Sequence, residues 1–229
     1  MSTPNFAKAH AYVMQRLEDD LPPTLFYHGI RHTRDQVLPY TKTLAESQGV
    51  SAEETLLLRT AALYHDTGFI KQYWDNEPVG VSIAEKTLPT FGYTAEHIEV
   101  VRRLILATRF PQAPKNPLEH ILCDADLYNL GGEESFWIAG DRLIRERVAH
   151  SNAIPSKFQP PYSIQERWER QCQFLESHSY FTEAALRTRE KGKQRNLETI
   201  RQLLLMFQQK NGQQSKPQNP AQSICDAPY

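Results

Sequence analysis

The stretch "SAEETLLLRTAALYHDTG", Ser51 to Gly68, constrains the fold more than any other part of the chain. Ser51 and Glu54 have the spacing of a capping box, and Gly68 sits where a helix C-terminal glycine belongs. Between them, Leu56 to Leu63 is apolar on most faces. A helix that is apolar all round must be covered on all sides. This segment is therefore predicted to be the central helix, with other helices packed around it.

The rest of the chain supplies those partners. "NFAKAHAYVMQRLEDDL" reads as an amphipathic helix stopped by Pro22 and Pro23. A second helix is predicted from Gly29–Arg31 to Gly49, with a kink or boundary at Pro39. "PVGVSIAEKTLPTFGY" reads as a helix closed by Pro89 and Gly92, and Thr94 caps the next, "AEHIEVVRRLILATRF". Asn116 and Pro117 open "LEHILCDADLYNLGG", which a glycine pair ends. "SFWIAGDRLIRERVAH", a Pro-rich linker and two further helices follow, one capped by Ser163 and one running from Thr182 to about Phe207. No alternating strand run interrupts them, so the fold class is all-α: a multi-helix bundle forming one domain over residues 1–207. Its motif-bearing core covers about 25–132, with a helical extension over 133–207. From Gln208 the composition falls to Gln, Asn, Ser, Pro and Lys, which predicts a disordered tail over 208–229.

Charge and cysteine usage narrow the class. The 26 basic and 27 acidic side chains leave a net charge of -1, which argues against a nucleic-acid footprint and a polybasic membrane patch. The N-terminus has no apolar signal-peptide region, and no apolar run approaches the length of a membrane span. Three scattered cysteines without a CxxC fit a reducing compartment. A cytoplasmic protein acting on a small molecule, with no membrane or nucleic-acid partner and an open oligomeric state, is the expectation.

Ionisable side chains inside apolar helices are costly unless paired or bound to metal. Three places stand out: His28 with His32, four apart on one helix face; His65 with Asp66, at the end of the apolar helix; and Asp124 with Asp126, in the apolar frame "ILCDADLYNLG". Each alone reads more readily as polar side chains facing water, although the acid pair is the strongest local oddity. Together they supply two imidazoles and two carboxylates from separate helices, a set suited to a divalent ion such as Mn, Fe, Ni, Co, Zn or Mg. Asp124 and Asp126 lie about 200° apart around a helix, so one of them at most is expected to ligate directly.

The order His32…His65-Asp66…Asp126 resembles the HD-domain superfamily of metal-dependent phosphohydrolases, over about Leu25 to Gly132. Weaker similarity continues through "ERQCQFLESHSYFTEAALRTREKGKQRNL". "YHGIRHT" resembles the "YHNxxHA" element of cyclic-nucleotide phosphodiesterases. That likeness implies that His32 binds metal and that His28 protonates the leaving oxygen. "ADLYN" is similar to "ADLSN" in those enzymes and to "ADRLHN" in alarmone hydrolases, which favours Asp126 over Asp124 as the fourth ligand. Asp124 would then orient a ligand or hold the nucleophilic water. The chain departs from dinuclear members where they carry extra histidines: it reads Asp75-Asn76-Glu77 and Ala107-Thr108 there, and His97 and His120 match neither place. The resemblance thus implies one tightly bound transition-metal ion, with Mg as a second ion on Asp66, Glu77 and waters left open.

The implied reaction is hydrolysis of a phosphoester, of a nucleotide by preference. Arg31, Arg34, Lys71 and Arg109 are candidate phosphate contacts. Tyr27, Phe69, Tyr73, Trp74 and Tyr128 could stack a base or sugar. Glu77 reads either as a site acid or as a first-turn acid favoured by the helix dipole. Two other classes compete: a non-catalytic HD module binding metal or nucleotide, and a di-iron oxygenase of the HD type, which needs more histidine ligands than the sequence offers.

Overall fold

The structure, a computed structural model, describes residues 3–161 and 163–214. It is helical throughout, and no strand occurs among the described residues. The helices are α1 (Phe6–Asp20), α2 (Leu38–Ser47), α3 (Ala52–Tyr64), α4 (Glu77–Thr87), α5 (Ala95–Ala107), α6 (Pro117–Asp126), α7 (Glu134–Ala149), α8 (Ile164–Ser177), the single turn α9 (Glu183–Ala185) and α10 (Lys191–Gln214). Among the described residues no helix is long and apolar enough to cross a membrane.

Helix α3 is the hub. It touches α1, α2, α4, α5 and α6, and Leu58, Ala61, Ala62, Leu63 and Tyr64 are fully buried. Each of its buried leucines is worth about 2 kcal/mol by area removed from water. The capping box forms: Ser51 Oγ accepts from Glu54 N–H, and the Ser51 N–H donates to Glu54 Oε2. The expected glycine cap does not form as such. Gly68 lies in a short 3-10 turn, Thr67–Ile70, and left-handed glycines occur instead at Gly49 and Gly92. Gly68 is required for space, because a Cβ there would lie 1.9 Å from the Asn76 carbonyl oxygen. The loop after α3 is thereby pressed against the start of α4, which fixes the direction of the residues between α3 and the turn.

Pro39 marks a boundary. Before α2 the chain makes a wide turn, His32–Val37, in which Leu38 N–H donates to Thr33 O, five residues back. Proline cannot donate the ordinary four-residue bond to Asp35 O, and the widened turn accommodates that gap.

The C-terminal helices form a second layer. Helices α8 and α10 pack together, and α10 lies against the 3-10 turn Tyr128–Gly131 that follows α6. Asn196 Nδ2 donates to the carbonyls of Leu130 (2.9 Å) and Gly132 (2.7 Å). A Cβ on Gly192 would meet Gly131 O at 2.0 Å, so the two backbones touch. Helix α10 continues to Gln214, past the expected end near Phe207 and into the stretch read as a tail; the remainder of that stretch, 215–229, lies outside the described residues.

Candidate metal centre

Four side chains converge where α3, α6 and the wide turn meet. His32 opens the wide turn, His65 follows the last residue of α3, Asp66 precedes the 3-10 turn, and Asp126 ends α6. His32 Nε2 lies 3.0 Å from Asp126 Oδ1 and 3.6 Å from Asp66 Oδ2. His65 Nε2 lies 3.1 Å from Asp66 Oδ2 and 3.6 Å from Asp126 Oδ1. One ligand atom each of His32, His65 and Asp66 falls within 4.8 Å of the others, a spacing that could hold a metal ion.

The other ring nitrogens are engaged. His65 Nδ1 donates to Ala62 O at 2.8 Å, and His32 Nδ1 faces the amide oxygen of Gln36 at 3.2 Å. A proton on each Nδ1 leaves both Nε2 lone pairs turned toward the carboxylates. His65 Nε2 and Asp66 Oδ2 are buried and 3.1 Å apart, within ion-pair distance of each other, but neither atom has a hydrogen-bond partner among the described residues. Lone pairs facing lone pairs in a buried site call for a cation or a proton between them. Without a metal the site takes the proton. Burial opposes charge on each group, but Asp66 and Asp126 outweigh it and raise the His65 pKa well above its ordinary value. Reciprocally, and again against burial, His65 helps to hold the Asp66 carboxyl low, while the hydrogen bond from His32 and the charge of His65 hold Asp126 low. The donor set therefore fits a divalent ion. Gln112 Nε2 donates to Asp126 Oδ2 at 3.2 Å and so helps orient that carboxylate.

His28 is beside this cluster, its ring centroid 5.9 Å from that of His32. It is ion-paired through Nδ1 to Glu146 Oε1, and Glu146 Oε2 accepts from the backbone N–H groups of Tyr27 (2.8 Å) and His28 (2.9 Å). Tyr73 Oη donates to Glu146 Oε1 at 3.2 Å. Phe69 stacks on the imidazole at 4.5 Å. Burial alone would lower the His28 pKa, but the charge and hydrogen bond of Glu146 win and raise it to about 9.

Glu146 escaped the sequence reading. A signal was available: Phe136, Ala139, Leu143 and Glu146 step along α7 by three, four and three residues, which places the acid on the buried stripe. An acid on such a stripe needs a partner.

Asp124 is not part of the cluster. It is fully buried and turned toward the C-terminal layer, where Phe181 N–H donates to its Oδ1 (2.9 Å) and Thr182 N–H and Oγ1 donate to its Oδ2 (2.7 Å each). Burial raises its pKa against these donors. Where water-holding or ligand orientation was expected of Asp124, the structure turns both of its oxygens to donors of the chain, and Thr182 in turn caps α9.

The candidate phosphate contacts separate. Arg31 lines a cavity of about 460 Å³ that His32 also lines. Arg34 is taken by Asp35 and Arg109 by Asp75 at 2.7 Å. Lys71 lines a different cavity, beside Tyr73 and Trp74. Glu77 opens α4 with a buried, unpartnered Oε2, and burial followed by the charges of Asp66 and Asp75 raises its pKa. His97 sits in the capping box of α5 and His120 stacks on Phe181, so neither joins the cluster. Of the candidate stacking aromatics, Tyr128 is buried under Arg189 and bonded to Thr188, as a core residue would be.

A family model described as HD domain matches residues 30–130. The matched span contains His32, His65, Asp66 and Asp126 but neither His28 nor Glu146. No curated protein and no solved structure matches the chain.

Proposed function

Because the chain carries an HD domain, the hallmark of a superfamily of metal-dependent phosphohydrolases, we propose that it hydrolyses a phosphomonoester or phosphodiester, of a nucleotide by preference, with His28 as general acid. The observation that carries this reading is the convergence of His32, His65 and Asp66 ligand atoms on one buried point, with Asp126 Oδ1 against both imidazoles and two of the atoms without a hydrogen-bond partner. His32, His65, Asp66 and Asp126 are the residues that would hold a transition-metal ion. Such an ion lowers the pKa of a coordinated water and polarises a phosphoryl oxygen. Glu77, whose free oxygen feels the charge of Asp66, is the acid for a second ion such as Mg.

The chain's own contribution is the proton. Glu146 engages Nδ1 of His28 and keeps the ring charged at neutral pH. That leaves Nε2–H as the donor to the leaving oxygen. Phe69, stacked on the ring, holds its plane. Glu146 is a positioning residue, fixing both the His28 side chain and the backbone that carries it.

Metal analysis of the purified chain followed by a screen of phosphoesters tests the proposal. The expected result is a bound transition metal, turnover of at least one ester, and a His28→Ala variant that keeps its metal and loses roughly two to four orders of magnitude in rate. Wild-type rates in His28→Ala would remove the acid from His28, and failure to bind any transition metal would remove the reaction.

A further inference from the structure

The cavity beside the cluster has its own chemistry. Arg31, from the turn before α2, and Arg142 and Arg145, three apart on α7, all line it. No aspartate or glutamate does. Elsewhere on this chain arginines are held by acids, as in Arg102–Glu99, Arg109–Asp75 and Arg201–Glu176. Among the described residues none of the three cavity guanidiniums is ion-paired. Asp35 feels the charge of Arg31 but is already engaged by both Nε and Nη2 of Arg34.

Two of the three arginines are partly held, although Arg31 and Arg145 are exposed. Arg145 lies over the Phe26 ring, 4.6 Å from its centroid, and Arg142 is half-buried. Three unpaired guanidiniums around one concavity concentrate positive charge that an anion would neutralise, and each guanidinium fork matches two oxygens of a phosphate. The volume is that of a small-molecule site, which typically falls in a range of about 300–1,000 Å³. Tyr27 and His32 form part of its wall, so it adjoins the metal centre.

We propose that this cavity is an anion site that takes a phosphate group of a phosphorylated small molecule, in addition to any phosphate at the metal centre. Two of its three arginines come from α7, beyond the matched span of 30–130. The cavity's chemistry does not depend on that of the cluster. The phosphate could be the far end of the substrate itself or belong to a separate ligand, and both present the same oxygens.

The test is calorimetric titration of the metal-loaded full chain with inorganic phosphate at low ionic strength, for wild type and for Arg142→Gln/Arg145→Gln. The variant is expected to weaken phosphate binding at least tenfold while its metal content and unfolding midpoint stay at wild-type values. Arg142→Lys/Arg145→Lys, which keeps charge but loses the fork, should recover part of the affinity at low salt. Equal phosphate affinity in wild type and the Gln variant would place all binding at the metal centre and overturn the proposal. In a turnover assay, inhibition by phosphate that is competitive and weakened in the Gln variant assigns the site to the substrate's own phosphate. Noncompetitive inhibition weakened in the same way assigns it to a separate ligand. Loss of metal and rate in His65→Ala bears on the proposed reaction alone, so the two proposals can fail separately.

Discussion

Asp124 and Asp126 stand two residues apart near the end of one helix, and they face opposite fates. Asp124 looks toward the C-terminal layer, and its oxygens accept from Phe181 and Thr182, 57 and 58 residues away. Asp126 looks toward His32 and His65, in a cluster that contains buried atoms with no partner. Both acids are carried by the same apolar frame. One polar site is bonded by the chain and serves the architecture; the other keeps buried atoms without a hydrogen-bond partner, in a spacing that could hold a cation. A buried polar group that the protein fails to satisfy costs stability. Such groups lie here where His32, His65 and Asp66 come within metal-holding distance of one another.

Breaking the unsatisfied site should have the largest effect. His65→Ala or Asp66→Ala is expected to abolish metal binding and lower turnover by roughly three orders of magnitude or more, since the ion supplies several kcal/mol of transition-state stabilisation. Wild-type protein should gain thermal stability on metal addition through linkage, and these variants should not. A metal-dependent midpoint shift that survives in both would contradict the assignment of ligands.

The saturated site should respond in stability instead. Asp124→Ala leaves the buried N–H and hydroxyl of Thr182 and the part-buried N–H of Phe181 without their acceptor, and a loss of about 3 kcal/mol is expected. Denaturant unfolding measures it, while metal bound per folded chain stays at the wild-type value. If Asp124→Ala keeps its stability and loses the metal, the contrast between the two acids collapses.

The smallest of these effects concerns Glu146, which belongs to the saturated class but serves the reaction. Glu146→Gln should keep the metal and slow turnover roughly 10- to 100-fold. His28 has a folded pKa of about 9, above its ordinary 6.5. The stability it contributes is therefore fully present below about pH 6.5 and lost as pH rises through about 9. Glu146 is held below its ordinary 4.5: burial opposes this, but His28 prevails. Its contribution is present above pH 4.5 and lost as pH falls through the folded value. Activity that needs the His28 proton should fall on the alkaline side, and a cation that cancels the charges of Asp66 and Asp126 brings that limb somewhat below 9. In Glu146→Gln the limb should move further down. An unmoved limb would mean that Glu146 is structural only.

Much of this protein was open to reading from its chain. The capping box at Ser51 and Glu54, the Asn116–Pro117 helix start and the boundary at Pro39 are set by groups a few residues apart, so local chemistry determines them. The apolar faces of Leu56 to Leu63 determined that one helix would be the hub, because no other arrangement keeps them dry. The four residues that converge were visible as ionisable groups in apolar frames. Their pattern alone made a common site the economical explanation. Only the tertiary structure decided which acid of "DAD" meets the histidines, because the donors that claim Asp124 arrive from a segment far along the chain. Only it paired His28 with Glu146, 118 residues apart, and gathered Arg31 with Arg142 and Arg145 around one cavity. Local spacing reports which face of a helix a residue occupies. Which partner occupies the space opposite that face is settled by packing between distant segments.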